Sequence, residues 1–139
     1  MKVARYIVII GCGRLGSMVA SALSGQGDSV VVIDQDERAF ANLSAEFSGF
    51  TITGDAAQMS VLREAKLERA DVVWAITDRD NLNLFVAQAA RAIFGVEHVT
   101  ARLFDPTREP IFEELDVLTI SPTMLAAEAF LSFIETGRP

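Results

Sequence analysis

Six residues near the start of the chain carry the clearest chemistry: Gly11-Cys12-Gly13-Arg14-Leu15-Gly16. Glycines at the first, third and sixth positions suit a turn that wraps a phosphate chain. Gly11 permits the tight turn, Gly13 lets backbone approach a pyrophosphate, and Gly16 lets a following helix lie close on the preceding strand. A helix starting here offers unpaired N–H groups and a partial positive charge to an anion. Arg14, one residue before the expected helix, is placed to reach over bound phosphates. Asp34 follows Gly16 by 18 residues, the spacing of an acid that bonds ribose hydroxyls. A carboxylate there repels a 2′-phosphate, and the adjoining Gln35 and Asp36 bring no arginine to accept one. NAD-like or adenosine nucleotides are therefore expected over NADP. Arg38, a little further on, is read as facing solvent.

Other reactive side chains are few. Cys12 is the only cysteine and His98 the only histidine. A catalytic thiol needs a nearby base. His98 opens a later strand, at the opposite end of the sheet from Cys12, so it reads as structural. One cysteine excludes an intramolecular disulfide, and no Cys/His cluster is present for zinc. Tyr6 is the sole tyrosine, lies in a strand, and forms no Tyr-x-x-x-Lys pair. Near a nicotinamide, only Asp78 and Asp80 are available as acids or bases.

These residues need elements to hold them. Short β-rich runs cover 6–10, 29–33, 50–53, 72–76, 98–102 and 118–120. The first, second and fourth are nearly unbroken apolar runs, as in strands covered on both faces of a parallel sheet. Helical segments fall between them at about 15–25, 36–47, 58–66, 81–94 and 107–115, with a last one at 123–135. Strict alternation implies right-handed βαβ crossovers. The expected fold is α/β, a Rossmann-like doubly wound parallel sheet of six strands in the order 3-2-1-4-5-6. Repeats, low-complexity stretches and linkers are missing, so residues 1–139 are expected to form one domain. In the last helix only Glu128 and Ser132 are polar between Met124 and Ile134. Its apolar surface exceeds the roughly 100° stripe one sheet can bury. A second subunit is expected to cover the rest.

The chain is half hydrophobic, too much for disorder, and its net charge of −7 argues against a nucleic-acid partner. Residues 1–70 carry 7 basic and 8 acidic groups, and residues 71–139 carry 5 and 11. The acidic excess is expected on solvated outer helices, away from the phosphate turn. No stretch approaches the ~20 apolar residues of a membrane span, and the first residues lack the pattern of a secretory leader.

Further motifs follow: Thr53-Gly54-Asp55-Ala56-Ala57 after the third strand, and Ala70-Asp71-Val72-Val73-Trp74-Ala75-Ile76-Thr77-Asp78 through the fourth. With the glycine turn and Val32-Ile33-Asp34-Gln35-Asp36, the chain resembles the TrkA-N domain, also called the RCK N-lobe (regulator of K⁺ conductance). Ala101-Arg102, Asp105-Pro106 and Ile120-Ser121-Pro122 agree with it, so the resemblance spans essentially the whole chain. It implies a domain that binds NAD(H) or an adenine nucleotide (AMP, ADP or ATP) and gates a K⁺ channel or transporter. By position, Gly11, Gly13, Arg14 and Leu15 would cradle the phosphates and Asp34 would hold the ribose. Asp55 and Ala56 would flank the adenine, Thr77 and Asp78 would border the distal part, and Arg102 would lie near the phosphates. Cys12, Gly16, Gln35 and Gly54 complete the set as members of the same motifs.

Family N-lobes pair through an edge and their final helix and can assemble into rings. A homodimer or larger ring is therefore implied, held at the inner face of the membrane by a partner and not inserted itself. Family proteins usually continue into a second lobe. Here the sequence stops at Gly137-Arg138-Pro139, as a lone N-lobe or a piece of a longer protein. Some members carry an acid after the proline that opens the last helix, for a shared metal. Thr123 stands there, so no metal is expected. The function expected is regulatory rather than enzymatic. The alternatives are a small NAD-dependent oxidoreductase and a nucleotide sensor unrelated to ion transport.

Overall fold

Residues 3–138 are described by a computed structural model. Met1, Lys2 and Pro139 of the domain expected over 1–139 lie outside the described residues. Six parallel strands form one sheet: β1 (Tyr6–Ile10), β2 (Ser29–Asp34), β3 (Phe50–Thr53), β4 (Val72–Ala75), β5 (His98–Arg102) and β6 (Thr119–Ile120). Their order is β3-β2-β1-β4-β5-β6, as expected. The register sets Val8 beside Val31 and Val73, so β1 is the most enclosed strand. Its run Ile7–Ile10 is buried on both faces, which is why it reads as unbroken apolar sequence.

Residue parity assigns the two faces. Val8, Ile10, Ile33, Val73, Ala75, Val99 and Ala101 pack against Leu62 of α2 (Met59–Glu64), Val86 and Ala90 of α3 (Asp80–Ala92) and Phe112 of α4 (Glu109–Glu114). Ile7, Ile9, Val30 and Val32 pack on the other face against Ala20 and Leu23 of α1 (Arg14–Gly25). That second layer lies over β1 and β2 and reaches Val72 of β4. Beyond it, an apolar groove runs over Trp74 of β4, Thr100 of β5 and Ile120 of β6.

Two expectations need correction. The helix read at 36–47 is a short 3₁₀ turn, Glu37–Asn42. Polar side chains take the backbone groups that would continue it. The Asp36 carboxylate accepts from Arg38 N, Asn42 Nδ2 donates to Cys12 O at 3.1 Å, and Ser44 N donates to Ser21 Oγ at 3.0 Å. Helix α1 also starts one residue earlier than expected, with Arg14 its first residue.

Helix α5 (Pro122–Thr136) is capped by Ser121, whose Oγ accepts from Met124 N, and ends at Gly137 in the left-handed conformation. None of its residues is buried. Phe130 and Ile134 are 78% and 84% exposed. The helix is therefore not packed in the core of the chain. No helix among the described residues is long and apolar enough to cross a membrane.

Candidate functional site: a cavity at the carboxyl ends of the strands

Parallel strands that diverge in opposite directions from β1 and β4 leave a crevice at their carboxyl ends. Here it is a cavity of about 400 Å³, within the roughly 300–1,000 Å³ typical of small-molecule sites. The glycine turn forms its floor. Gly11 has φ +107°, and a Cβ there would come within 2.7 Å of Ile76 O, so both conformation and packing require glycine. Gly16 is more constrained still: a Cβ would stand 2.0 Å from Gly11 O. Helix α1 is thereby held directly against the turn. At Gly13 a Cβ would meet no protein atom, so packing does not demand glycine there.

Gly13 is also the N-cap of α1 and supplies no side-chain acceptor. The first N–H groups of the helix therefore stay unpaired at the cavity, with the positive end of the helix dipole. A donor set without a protein acceptor suits an anion.

Asp34, the last residue of β2, is half-buried beside the glycine turn. Its Oδ2 accepts from Cys12 N and its Oδ1 from Asp36 N, each at 2.8 Å. The same carboxylate that reads as a ribose acceptor thus also clamps the glycine turn to the loop after β2. Each oxygen keeps a further lone pair for a ligand hydroxyl. Arg38 is exposed as expected and is paired with Asp36 at 3.1 Å. Its guanidinium holds the Asp36 carboxyl below the usual carboxylate range.

Cys12 is fully buried, and burial, helped by the Asp34 charge, pushes its thiol up to about 11. A thiol in that state supplies almost no thiolate at neutral pH. His98 opens β5, as expected, and is exposed.

Of the expected site residues, Gly11, Cys12, Gly13, Arg14, Asp34, Gln35, Gly54, Asp55, Ala56, Thr77, Asp78 and Arg102 all line this one cavity. Two do not. Gly16 lies behind the turn and acts by packing. Leu15 was expected at the phosphates; its side chain lines an apolar groove on the α1 side of the sheet, which leaves only its backbone N–H, in the first turn of α1, for that role. In the first turn of α1, Leu15 and Arg14 point in different directions because successive helical residues diverge by about 100°.

The sequence reading missed a polar layer beneath the cavity. Asn83 is fully buried in α3. Its Oδ1 accepts from Thr77 N at 3.0 Å and Thr77 Oγ1 at 2.6 Å. Its Nδ2 donates to Thr77 O at 3.0 Å and Arg102 O at 2.9 Å. One amide therefore ties the loop after β4 to the end of β5. Asp80, considered from sequence as an acid near the distal end, instead accepts from Phe104 N at 2.6 Å and Asp105 N at 3.0 Å. The signal was available: Asp80 and Asn83 interrupt an inner stripe otherwise made of Leu82, Val86, Ala87 and Ala90.

A doubly wound parallel sheet with a glycine turn, an orphaned helix N-terminus and a carboxylate at the end of β2 defines the class of Rossmann-type nucleotide-binding domains. Within that class the sequence matches the TrkA-N domain over residues 7–122. The chain belongs to the TrkA-N domain family. The Trk system potassium uptake protein TrkA of Streptomyces coelicolor is 41% identical over 126 residues, covering 91% of this chain and 56% of that protein. The chain spans about half the length of the curated relatives it matches. The fold is shared by the GsuK channel bound to NAD, with a TM-score of 0.80 at 23% identity over 96% of this chain and 24% of that one. It is shared also by the Shewanella denitrificans Kef CTD in AMP-bound form, with a TM-score of 0.78 at 21% identity over 96% and 82%.

Proposed function

We propose that this domain binds NAD(H) or an adenine nucleotide (AMP, ADP or ATP) in the cavity above the glycine turn and regulates a membrane K⁺ channel or transporter. The observation that carries the reading is the meeting in one cavity of unpaired N–H groups at the start of α1 and the Asp34 carboxylate at the end of β2. Phosphates settle against the N–H groups and Arg14, with the ribose hydroxyls on Asp34. Asp55 and Ala56 flank the base, and Thr77 and Asp78 border the far end. Asp34 and Asp36 stand where a 2′-phosphate would lie, so NADP is disfavoured. The role is regulatory rather than enzymatic. The buried thiol is protonated, and Asp80 is engaged as a backbone acceptor.

A second copy of the chain covers α5. Met124, Leu125, Phe130, Leu131, Phe133 and Ile134 present more apolar surface than a monomer leaves in water. A nucleotide acts on such a pair, or on a ring built from pairs, through its differential affinity for their arrangements. Different nucleotides in one cavity thereby drive opposite outcomes. The membrane partner is supported by the potassium uptake role named for the S. coelicolor relative. The domain then works at the cytoplasmic face, held there through that partner.

Melting curves with NAD⁺, NADH, NADP⁺, AMP, ADP and ATP, run beside light scattering, test the whole reading. A rise of several degrees with NAD⁺, NADH or an adenine nucleotide is expected, since ligand at about 100 times its Kd adds about 2.7 kcal/mol. No shift with any of the six would overturn nucleotide binding. The mass should be at least double the chain's 15.1 kDa; a strict monomer would remove the role given to α5.

A further inference from the structure

The sheet face that carries α1 holds an apolar groove over β4, β5 and β6. Trp74 and Thr100 line it, walled by Leu15 and Val19 of α1 and by Ile120 of β6. Its volume is about 290 Å³. Arg102 is the one charged residue among those that line it.

This groove and the nucleotide cavity share two wall residues, Ile76 and Arg102. Their backbones are held. Ile76 N donates to Ile10 O at 2.7 Å, and Arg102 O accepts from Asn83 Nδ2 at 2.9 Å. The Arg102 side chain is not held in the same way. Its Nε is buried and has no hydrogen-bond partner, and no acid forms an ion pair with it among the described residues. Its guanidinium carbon rests 5.7 Å from the ring centroid of Phe104, itself largely exposed. A buried donor without an acceptor is unfavourable, and a phosphate oxygen would relieve it with a charge-assisted bond.

Resting on the nucleotide-binding reading, we propose that Arg102 is the positioning residue that reports nucleotide occupancy to the apolar groove. Phosphate oxygens in the cavity take the guanidinium, and the groove loses its only charge. Because Asn83 fixes the backbone, the change is confined to the side chain and to the space it vacates. The signal crosses the sheet through one residue rather than through a moving strand. An apolar groove without a cation in its wall accepts apolar surface at lower desolvation cost.

Trp74 is the only tryptophan and lines the groove, so its emission reads the event directly. The full chain is titrated with NAD⁺, AMP, ADP, ATP and phosphate-free adenosine, with calorimetry measuring binding in parallel. Each phosphate-bearing nucleotide that binds should shift Trp74 emission, and adenosine should leave it unchanged. Arg102→Met should bind about tenfold more weakly, the loss of one charge-assisted bond, and at saturation should show no emission shift. Arg102→Lys should restore part of both, which a purely structural role would not do. Arg102→Gln replaces the methionine variant if that one fails to fold. Wild-type emission that stays silent while calorimetry reports binding overturns the proposal. So does a wild-type shift in saturated Arg102→Met. Absence of any binding to the wild type is a different result: it removes the nucleotide reading itself.

Discussion

Replacing Asn83 by alanine tests the polar layer beneath the cavity. The substitution removes an amide with no exposure and four hydrogen bonds. The Thr77 hydroxyl also donates to Arg79 O, so it keeps a partner. Three backbone groups are left without theirs: Thr77 N, Thr77 O and Arg102 O. At about 1 kcal/mol for each group, Asn83→Ala should cost about 3 kcal/mol. For a chain of this length that is a fall of about 10 °C in Tm. Urea unfolding followed by circular dichroism reads the loss, and Gln88→Ala on the exposed side of α3 serves as control, within about 0.5 kcal/mol of wild type. Asn83→Asp sharpens the test. The new carboxyl is isosteric and keeps the two Thr77 donors at one oxygen, but its other oxygen faces two carbonyl oxygens; burial and that contact outweigh the donors, favour the protonated form and raise its native pKa. The native state then holds a proton that the unfolded chain releases near pH ~4. Stability of this variant should fall as pH rises from there toward the raised native value, relative to wild type. A loss below about 1 kcal/mol for Asn83→Ala, or a pH-independent deficit for Asn83→Asp, refutes the reasoning.

Other consequences are as direct. Gly16→Ala forces a methyl against Gly11 O, where a Cβ would stand at 2.0 Å. Denaturant unfolding should show a loss of about 3 kcal/mol or more, and a near-neutral result would mean that α1 is not seated as described. Asp34→Asn keeps the shape of the clamp and removes its charge. Melting shifts with NAD⁺ should shrink while those with NADP⁺ grow, and an unchanged preference would separate Asp34 from ribose recognition. The Cys12 thiol, buried and raised to about 11, should resist iodoacetamide at neutral pH until urea unfolds the chain. Rapid labelling of the native protein, followed by mass spectrometry, would contradict its burial.

Strand order and the cavity floor were legible because they rest on strong local signals. Unbroken apolar runs mark β1 and β2, and the glycines at 11 and 16 have a steric reason in the packing of the turn. What escaped was non-local. Nothing in the 36–47 segment announces that Asn42 will bond Cys12 O or that Ser44 N will find Ser21 Oγ. Those bonds exist only once the segment lies against α1, and they end the 3₁₀ turn at Asn42. Asn83 and Asp80 posed the same difficulty. Each interrupts the apolar inner stripe of α3, but its importance comes from backbone groups 6 to 25 positions away, which the stripe does not name. The direction of the Leu15 side chain was not legible for a geometric reason: a motif names positions along the chain, while a helix sends adjacent side chains to different surfaces.

Net charge and site charge are decoupled in this domain. The chain carries −7 overall, yet the cavity is lined by Arg14, Arg79 and Arg102 as well as by the start of α1 with its unpaired N–H groups. The acids that line it are Asp34, Asp36, Asp55 and Asp78. Of the acidic excess in residues 71–139, Asp78 reaches the cavity and Asp80 is consumed by two backbone donors. Glu97, Glu109, Glu113, Glu114, Asp116, Glu128 and Glu135 are all exposed. Charges on that solvated surface are screened over about 8–10 Å at physiological salt, whereas donors a few ångströms from a phosphate are not. The charge local to the cavity, N–H groups at the start of α1 beside the Asp34 carboxylate, is therefore set independently of the net charge of the chain.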